Sequence, residues 1–404
     1  MKTFVKSLSV LLVACFAFSA CGAPAETTDA DNRDTAIDLP LDITEETYDE
    51  KEALEKQMIE ELKNSTVSPT TMNMLEASEF YRPLGRTAMI DNSLTCDWTA
   101  AGVEFKLLCK GDVVLAITAA NSTTTFTIEV DDVITQKHFL VNKGVGTYTV
   151  ASGLEAGYHT VKIIGEKGYG NNATVDSITF TGELVKADKK AIHIEVIGDS
   201  ITCGAGLGES GNDGTAAYAY LALDELDVDY SICSNGGMGL AYSGSESNVF
   251  SKVYPYQNLK RDETPYSPTR TPDLIIINLH TNDNWQWYSN TPKDNRNVET
   301  EKYNYATFDT AFDDMIKTFT DLYGNDVPML FVFGCMANPD YENATTRSKE
   351  LIKLKYIPEG YDMEIVTLTT NREGNASHPN AEGAKVQGGE LTNFIKETYK
   401  ELFD

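Results

Sequence analysis

The sequence from Ile194 to Gly206 is IEVIGDSITCGAG, and it changes from mainly apolar residues to polar and small ones at Gly198. Apolar, branched residues dominate the part that precedes the first glycine, which predicts a strand over 192–197. A short polar and glycine-containing segment follows directly and carries Ser200. The stretch therefore predicts a strand whose carboxyl end presents a hydroxyl group.

Strand and helix patterns alternate on the C-terminal side of this stretch. Further strands are predicted at Tyr230–Cys233, Leu274–Ile277, Met329–Phe333 and Glu364–Leu368, with helices at 216–226, 305–323 and 384–399. The run Leu274–Ile277 is continuously apolar, as expected for a strand that is buried on both faces. The pattern predicts an α/β domain over 188–404, with a parallel sheet flanked by helices.

The segment on the N-terminal side, 65–187, has a different period. Apolar and polar residues alternate at Val103–Leu107 and Phe126–Val130. Four further strands are predicted at Phe139–Val141, Thr147–Val150, His159–Ile163 and Asp176–Phe180. Turn residues separate these runs at short intervals, which predicts an antiparallel β-sandwich or jelly roll. Cys96 and Cys109 lie in this segment, and the sequence leaves open whether they form a disulfide.

Polar residues that could take part in catalysis follow the predicted strands of the α/β segment. Besides Ser200, they are the run 234–239 with sequence SNGGMG, the run 280–283 with sequence HTND, and the run 377–379 with sequence SHP. Because the carboxyl ends of parallel strands meet at one sheet edge, these groups are expected to lie together. A hydroxyl, main-chain N–H groups, an amide and an imidazole are what acyl transfer requires.

The order GDSIT, GGMG, HTND and SHP resembles the SGNH (GDSL-type) hydrolases, whose four blocks supply Ser, Gly, Asn and His. The resemblance covers about residues 190–395. Together with the preceding β-rich segment, IEVIGDSITCGAG resembles more narrowly carbohydrate esterase family 2. Members of that family are exported enzymes with a jelly-roll domain before the SGNH domain, and they remove O-acetyl groups from plant polysaccharides.

The resemblance implies a role for each block. Ser200 would be the nucleophile, and His378 would act first as general base and then as acid. The N–H groups of Ser200 and Gly237 and the amide of Asn282 would form the oxyanion hole. SGNH hydrolysis needs no metal, and the sequence contains no obvious cluster of metal ligands, so no cofactor is expected. Asp199 is expected to organise its loop.

Two positions depart from the family pattern. His280 stands where the third block usually begins with Gly, and its side chain is expected to point toward the acyl or sugar site. Asn375 stands where the fourth block usually has Asp, three residues before the histidine. Some members of carbohydrate esterase family 2 lack that acid and hold the imidazole with a backbone carbonyl. We favour this arrangement and keep Glu373 as the alternative partner of His378.

Aromatic residues follow the HTND block directly. Trp285 and Trp287 are candidates for stacking against a sugar face, and the alternative for both is packing under the loop.

The N-terminus has the pattern of an export signal. Residues 1–20 combine a basic start with an apolar core that is too short to span a bilayer as a mature anchor. The small residues before Cys21 resemble the bacterial lipobox, in which this cysteine is lipidated, although Phe18 departs from the usual Leu. Residues 21–64 then hold 14 acidic against 4 basic residues, which predicts an acidic linker. The expected location is the bacterial cell surface as a lipoprotein, or otherwise the secreted fraction.

Charge and composition limit the choice of partners. The 404 residues include 33 Lys+Arg against 61 Asp+Glu, for a net charge of −28. This balance argues against a nucleic-acid partner and against binding to anionic membrane surfaces. Any membrane contact would come from a lipid on Cys21. The expected substrate is an acetylated polysaccharide or oligosaccharide.

Two other functions remain open at this stage. The departures at His280 and Asn375 fit a surface glycan-binding protein with a degenerate esterase site. A lipid esterase or thioesterase of the same superfamily is the second alternative. The preceding β-rich segment argues against a lipid substrate.

Overall fold

A computed structural model describes residues 45–167, 172–209, 211–257, 264–290 and 298–403. The predicted signal peptide, the predicted lipidation site at Cys21 and most of the acidic linker lie outside the described residues. The chain divides into two compact units, Met1–Ala53 and Leu54–Asp404. Helix α1 (Glu45–Asn64) occupies the end of the predicted acidic linker. No helix in the described ranges is long and apolar enough to cross a bilayer.

The first half of the larger unit is a nine-stranded antiparallel sheet. Its strands are β1 (Thr70–Asn73), β2 (Arg82–Leu84), β3 (Ala88–Ile90), β4 (Ser93–Thr95), β5 (Gly102–Ala119), β6 (Thr124–Val130), β7 (Val133–Val141), β8 (Gly144–Gly165) and β9 (Ala173–Val185). The order is β3-β4-β9-β5-β8-β6-β7, with β1 paired to β9 and β2 to β5. The period-two pattern therefore correctly predicts antiparallel strands.

Two strands that the sequence predicts separately form a single strand in the structure. The runs Thr147–Val150 and His159–Ile163 both belong to β8, which has 22 residues. Pairing with β5 continues between them because the register shifts three times between Cys109 and Val114. Such bulges insert extra residues without ending the ladder, so a break in the alternation does not mark a strand end here.

The core of the antiparallel sheet contains large aromatic side chains, including Trp98, Phe105, Phe126 and Phe180. Cys96 and Cys109 are buried in the same core as reduced thiols. Burial raises the pKa of Cys109 to about 12, so this thiol stays protonated and behaves as a small apolar group.

The second half contains a five-stranded parallel sheet. Its strands are β10 (His193–Gly198), β11 (Asp229–Ser234), β12 (Leu274–Asn278), β13 (Met329–Phe333) and β14 (Met363–Thr367). The order is β11-β10-β12-β13-β14. All five predicted strands are confirmed to within one residue at each end. Every residue of the central strand β12 is buried, as its continuous apolar run predicts.

Helices complete this half. They are α2 (Tyr218–Glu225), α3 (Phe250–Val253), α4 (His280–Asn290), α5 (Val298–Tyr323), α6 (Asn343–Leu351) and α7 (Ala381–Thr398). Helices α2, α5 and α7 correspond to the three predicted from periodicity. Helix α6 was not predicted, because its start is stabilised from another element: the side chain of Asn284 accepts the N–H groups of Ala344 and Thr345.

The strand order predicts a ligand site beside β10. After β10 the chain adds β11 on one side and then β12 on the other, so the winding direction reverses around this strand. In open parallel sheets, such reversal points leave a crevice at the carboxyl ends of the strands. Ser200 follows β10 by two residues and therefore lies at this position.

Candidate active site

Ser200 and His378 lie within hydrogen-bonding distance, although 178 residues separate them. His378 Nε2 is 2.8 Å from Ser200 Oγ. Ser200 begins a hydrogen-bonded turn, in which the N–H of Ala205 donates to the Ser200 carbonyl at 2.9 Å. His378 enters from the loop after β14, at the other side of the sheet. The structure thus brings the first and fourth sequence blocks together.

The other imidazole nitrogen contacts a main-chain carbonyl. His378 Nδ1 lies 3.1 Å from the carbonyl oxygen of Asn375. Ala376 and Ser377 between them have positive φ values of 51° and 61°, and this left-handed turn brings the carbonyl back to the ring. A carbonyl can only accept, so Nδ1 carries the hydrogen in the neutral ring. Nε2 is then left with a lone pair toward Ser200.

Glu373 does not contact the imidazole through its carboxylate. Its Oε2 accepts a hydrogen bond from Asn380 Nδ2 at 3.1 Å instead. Asn380 also caps helix α7 by accepting the N–H of Gly383. The carboxylate of Glu373 therefore supports the turn into α7.

A glycine also shapes the histidine side of the site. Gly206 has a φ of +87°, and a Cβ there would lie 3.4 Å from His378 Cβ and 3.5 Å from the Asn375 oxygen. The segment after the serine turn therefore packs closely against the histidine turn.

The second block forms a glycine turn that is fixed by a carboxylate. Gly237 has a φ of +76°, in the left-handed region that favours glycine. Asp283 is fully buried and accepts three main-chain hydrogen bonds from the segment that follows this turn. The three donors, each at 2.7 Å, are Leu240, Ala241 and Tyr242. This carboxylate holds the glycine turn against the start of helix α4.

Asn282 joins the glycine turn to the serine turn. Its Nδ2 donates to the carbonyl of Met238 at 2.9 Å and to Asp199 Oδ2 at 3.3 Å. Both amide hydrogens are directed at protein acceptors, so a ligand oxygen would have to replace the longer contact with Asp199.

Burial shifts the pKa of two carboxylates beside the site upward. Burial raises the pKa of Asp199 to about 7, while a hydrogen bond from the N–H of Ile201 opposes this and the nearby charge of Asp283 adds to it. Burial likewise raises the pKa of Asp283 to about 7 against its three main-chain donors. Both side chains are used to organise loops.

A cavity of about 240 Å³ opens next to Asn282, at the carboxyl ends of β12, β13 and β14. Trp285 lines it with 54% of its surface exposed, and its ring meets Tyr341 edge-on at 5.6 Å. Trp285 is therefore placed where an aromatic ring can contact a ligand.

Trp287 adopts the second alternative, packing in the interior, and does not line the cavity. This side chain is 1% exposed and packs against the rings of Tyr242, Tyr305 and Phe308. The two tryptophans lie in helix α4, where residues two positions apart face roughly opposite sides. One therefore faces the cavity and the other faces the core.

His280 also lines the cavity, although it is only 2% exposed. Its ring lies 4.7 Å from that of Phe333, between their centroids. Burial, together with the charge of Lys349, lowers its pKa to about 3, so the imidazole is neutral. Neither ring nitrogen has a hydrogen-bond partner among the described residues.

Tyr341, Lys349 and Arg372 also line the cavity and were not predicted from the sequence. The first two lie just before and within the unpredicted helix α6. Arg372 lies in the loop between the last strand and the SHP block, and its position after a strand end was the available signal.

Comparisons with known proteins agree with this geometry. Residues 194–391 match the family model of the GDSL-like lipase/acylhydrolases. A search of curated protein sequences found no significant match.

Solved structures are similar over most of the chain. An acetyl xylan esterase, Est2A, from the rumen bacterium Butyrivibrio proteoclasticus superposes with a TM-score of 0.71 and 18% identity, covering 82% of this chain and 99% of its own. A family two carbohydrate esterase from Cellvibrio japonicus gives 0.69 and 17%, covering 83% and 99%. One from Clostridium thermocellum, in complex with cellohexaose, gives 0.66 and 20%, covering 79% and 99%. Residues 194–391, which carry the strand-end blocks, thus belong to the GDSL-like lipase/acylhydrolases, and the chain shares the fold of the family 2 carbohydrate esterases.

Proposed function

We propose that the protein is a serine esterase that removes O-acetyl groups from plant cell-wall polysaccharides, such as xylan or glucomannan, or from their oligosaccharides. The observation that carries the proposal is the alignment of Ser200 Oγ, the imidazole of His378 and the carbonyl of Asn375. A serine hydroxyl is a weak nucleophile until a base accepts its proton, and this alignment supplies the base in the required tautomer.

Acylation would begin when Ser200 Oγ attacks the acetyl carbon and its proton passes to His378 Nε2. The carbonyl oxygen then carries a negative charge, which the N–H groups of Ser200 and Gly237 and the amide of Asn282 stabilise. Each preorganised donor of this kind contributes on the order of 10²–10³ in rate. Collapse of the intermediate breaks the bond to the sugar oxygen, which takes the proton from His378 and leaves as a hydroxyl.

Deacylation repeats these steps with water. His378 accepts a proton from the water as it attacks the acetyl group on Ser200. Acetate leaves, and the proton returns to Ser200 Oγ. In both halves the imidazole becomes positively charged, and the Asn375 carbonyl stabilises its Nδ1–H through a dipole. The main-chain carbonyl of Asn375 is a weaker hydrogen-bond acceptor for this N–H than a carboxylate would be.

The surroundings of the site support a sugar as the alcohol. Trp285 is exposed at the cavity rim, where a ring can stack on the apolar face of a pyranose. One protein of the same fold was solved in complex with cellohexaose, which supports glycans as the ligand class.

We further infer that the antiparallel sheet is a jelly-roll domain and that the protein is exported. The fold similarity supports the first inference, because the matched structures are covered over 97–99% of their length, well beyond residues 194–391. The sequence pattern of residues 1–20 and Cys21 supports the second.

A substrate profile tests the proposal. The purified protein should release acetate from acetylated xylan or acetylated glucomannan and should hydrolyse p-nitrophenyl acetate faster than esters of longer acyl chains. Tight binding to the same glycans without release of acetate would support the glycan-binding alternative instead. Preference for long acyl chains would support a lipid esterase or thioesterase.

A further inference from the structure

The cavity beside Asn282 is larger than the reaction alone requires. An acetyl group has two carbon atoms, whereas the cavity measures about 240 Å³ and extends from Asn282 past β13 to the end of β14. Its far wall is helix α6 and the loop that carries Arg372. The space thus leads away from the Ser200 turn, toward a part of the substrate other than the acetyl group.

Two cations line this cavity without a carboxylate partner. Arg372 is exposed and Lys349 is half-buried, and neither forms an ion pair with any described residue. Three other arginines each contact a carboxylate: Arg82, Arg270 and Arg347. Glu342 is the single acidic residue among the described residues that line the cavity.

The cavity also contains unused hydrogen-bonding capacity. Lys349 Nζ lies 4.9 Å from the ring centroid of Phe333, at the end of β13. His280 packs on the same ring and has two buried nitrogens with no partner among the described residues. A neutral imidazole offers one donor and one acceptor, which is what a ligand hydroxyl can satisfy. Leaving such groups unsatisfied costs free energy, so a polar occupant is favoured.

We propose that this cavity is a subsite for a uronic acid residue of the glycan. Arg372 and Lys349 would bind the sugar carboxylate, His280 a ring hydroxyl, and Trp285 the sugar face. The proposal rests on the proposed esterase function and specifies its substrate as an acetylated acidic glycan.

The test compares two acetylated xylo-oligosaccharides that differ only in one glucuronic acid branch. The wild-type protein should have a higher kcat/KM for the branched compound. Arg372→Gln and Lys349→Gln should each lower that preference on the order of tenfold, because each removes one charged hydrogen-bond donor. Lys353→Gln is the matched control, since Lys353 is an exposed lysine just after α6 that does not line the cavity. The preference for the branched compound should also fall as the salt concentration is raised, because salt screens the attraction between the cations and the carboxylate.

The outcomes separate this inference from the esterase proposal. Acetate release from both compounds at equal rates, unchanged in the Arg372 and Lys349 variants, would overturn the uronic acid subsite and leave the esterase intact. Failure of the wild type to deacetylate either compound or p-nitrophenyl acetate would overturn the esterase itself.

A final arm uses p-nitrophenyl hydrogen succinate, which carries its carboxylate on the acyl group. A preference for it over p-nitrophenyl acetate that disappears in Arg372→Gln would show that the cavity binds acyl groups, and would contradict a sugar subsite.

Discussion

The carbonyl of Asn375 lies 3.1 Å from Nδ1 of His378 and occupies the place where a catalytic triad has a carboxylate. A neutral acceptor fixes the tautomer and the ring orientation but adds no negative charge. Two left-handed residues, Ala376 and Ser377, create this contact. The side chain of residue 375 is therefore not needed for it.

Neutral replacements at both candidate partners of the histidine should preserve activity. Glu373→Gln and Asn375→Ala leave the main-chain carbonyl in place, so kcat for p-nitrophenyl acetate should change little. Replacement of a true triad carboxylate by its amide costs about 10⁴ in kcat. A loss of that size in Glu373→Gln would identify Glu373 as the catalytic acid and contradict the dyad.

Asn282→Ala should lower kcat on the order of 10²–10³, because it removes one donor from the oxyanion site. Steady-state kinetics with p-nitrophenyl acetate measure this directly. Asn121→Ala is a suitable control, since this asparagine holds a turn in the antiparallel sheet through Thr123 and Thr124. Equal kinetic effects of the two substitutions would argue that Asn282 acts only through stability.

The two tryptophans should respond in opposite ways. Trp287→Ala empties a buried site and should lower the free energy of unfolding by about 3–5 kcal/mol in urea titrations. Trp285→Ala should leave stability nearly unchanged and raise KM for the polysaccharide. An unchanged KM in Trp285→Ala would remove Trp285 from the substrate site.

The sequence predicts the parallel sheet well because its signals are local. The run Leu274–Ile277 is apolar throughout since both faces of β12 are buried, and the periodicity of 305–323 marks the amphipathic part of α5. The strand-end blocks follow from topology, since parallel strands place their carboxyl ends at one edge. Ser200 and His378 could thus be expected to meet.

Other features depend on contacts that no local pattern encodes. The Asn375 contact comes from the φ values of two ordinary residues, Ala376 and Ser377. The start of α6 is capped by Asn284 from another helix, so Lys349 could not be placed near the site. Whether Trp285 or Trp287 faces the solvent depends on α4 being helical, which its asparagine-rich sequence does not favour.

The free energy of unfolding should fall as pH rises from 4 to 7, because Asp199 ionises in the unfolded chain before it does in the folded protein. Burial raises its pKa from 3.8 to about 7, so the folded protein retains a proton that the unfolded chain releases over this range. The stabilising contribution is complete below pH 4 and lost as pH rises through 7. Asp199→Asn mimics the protonated form and should weaken this dependence.

Thermal denaturation at pH 4.5 and 7.5 measures the effect. The decrease in Tm should be smaller in Asp199→Asn than in the wild type, while Asp91→Asn, at an exposed turn, should behave like the wild type. Equal decreases in all three proteins would contradict the buried, proton-retaining Asp199.

Acetate release by the wild type and by Ser200→Ala tests the central claim most directly. With acetylated xylan as substrate and circular dichroism as the check on folding, the wild type should release acetate. Ser200→Ala should lose activity by at least about 10³-fold, because among the described residues only the Ser200 hydroxyl is hydrogen-bonded to the His378 imidazole. Wild-type rates of release in folded Ser200→Ala would contradict the serine mechanism.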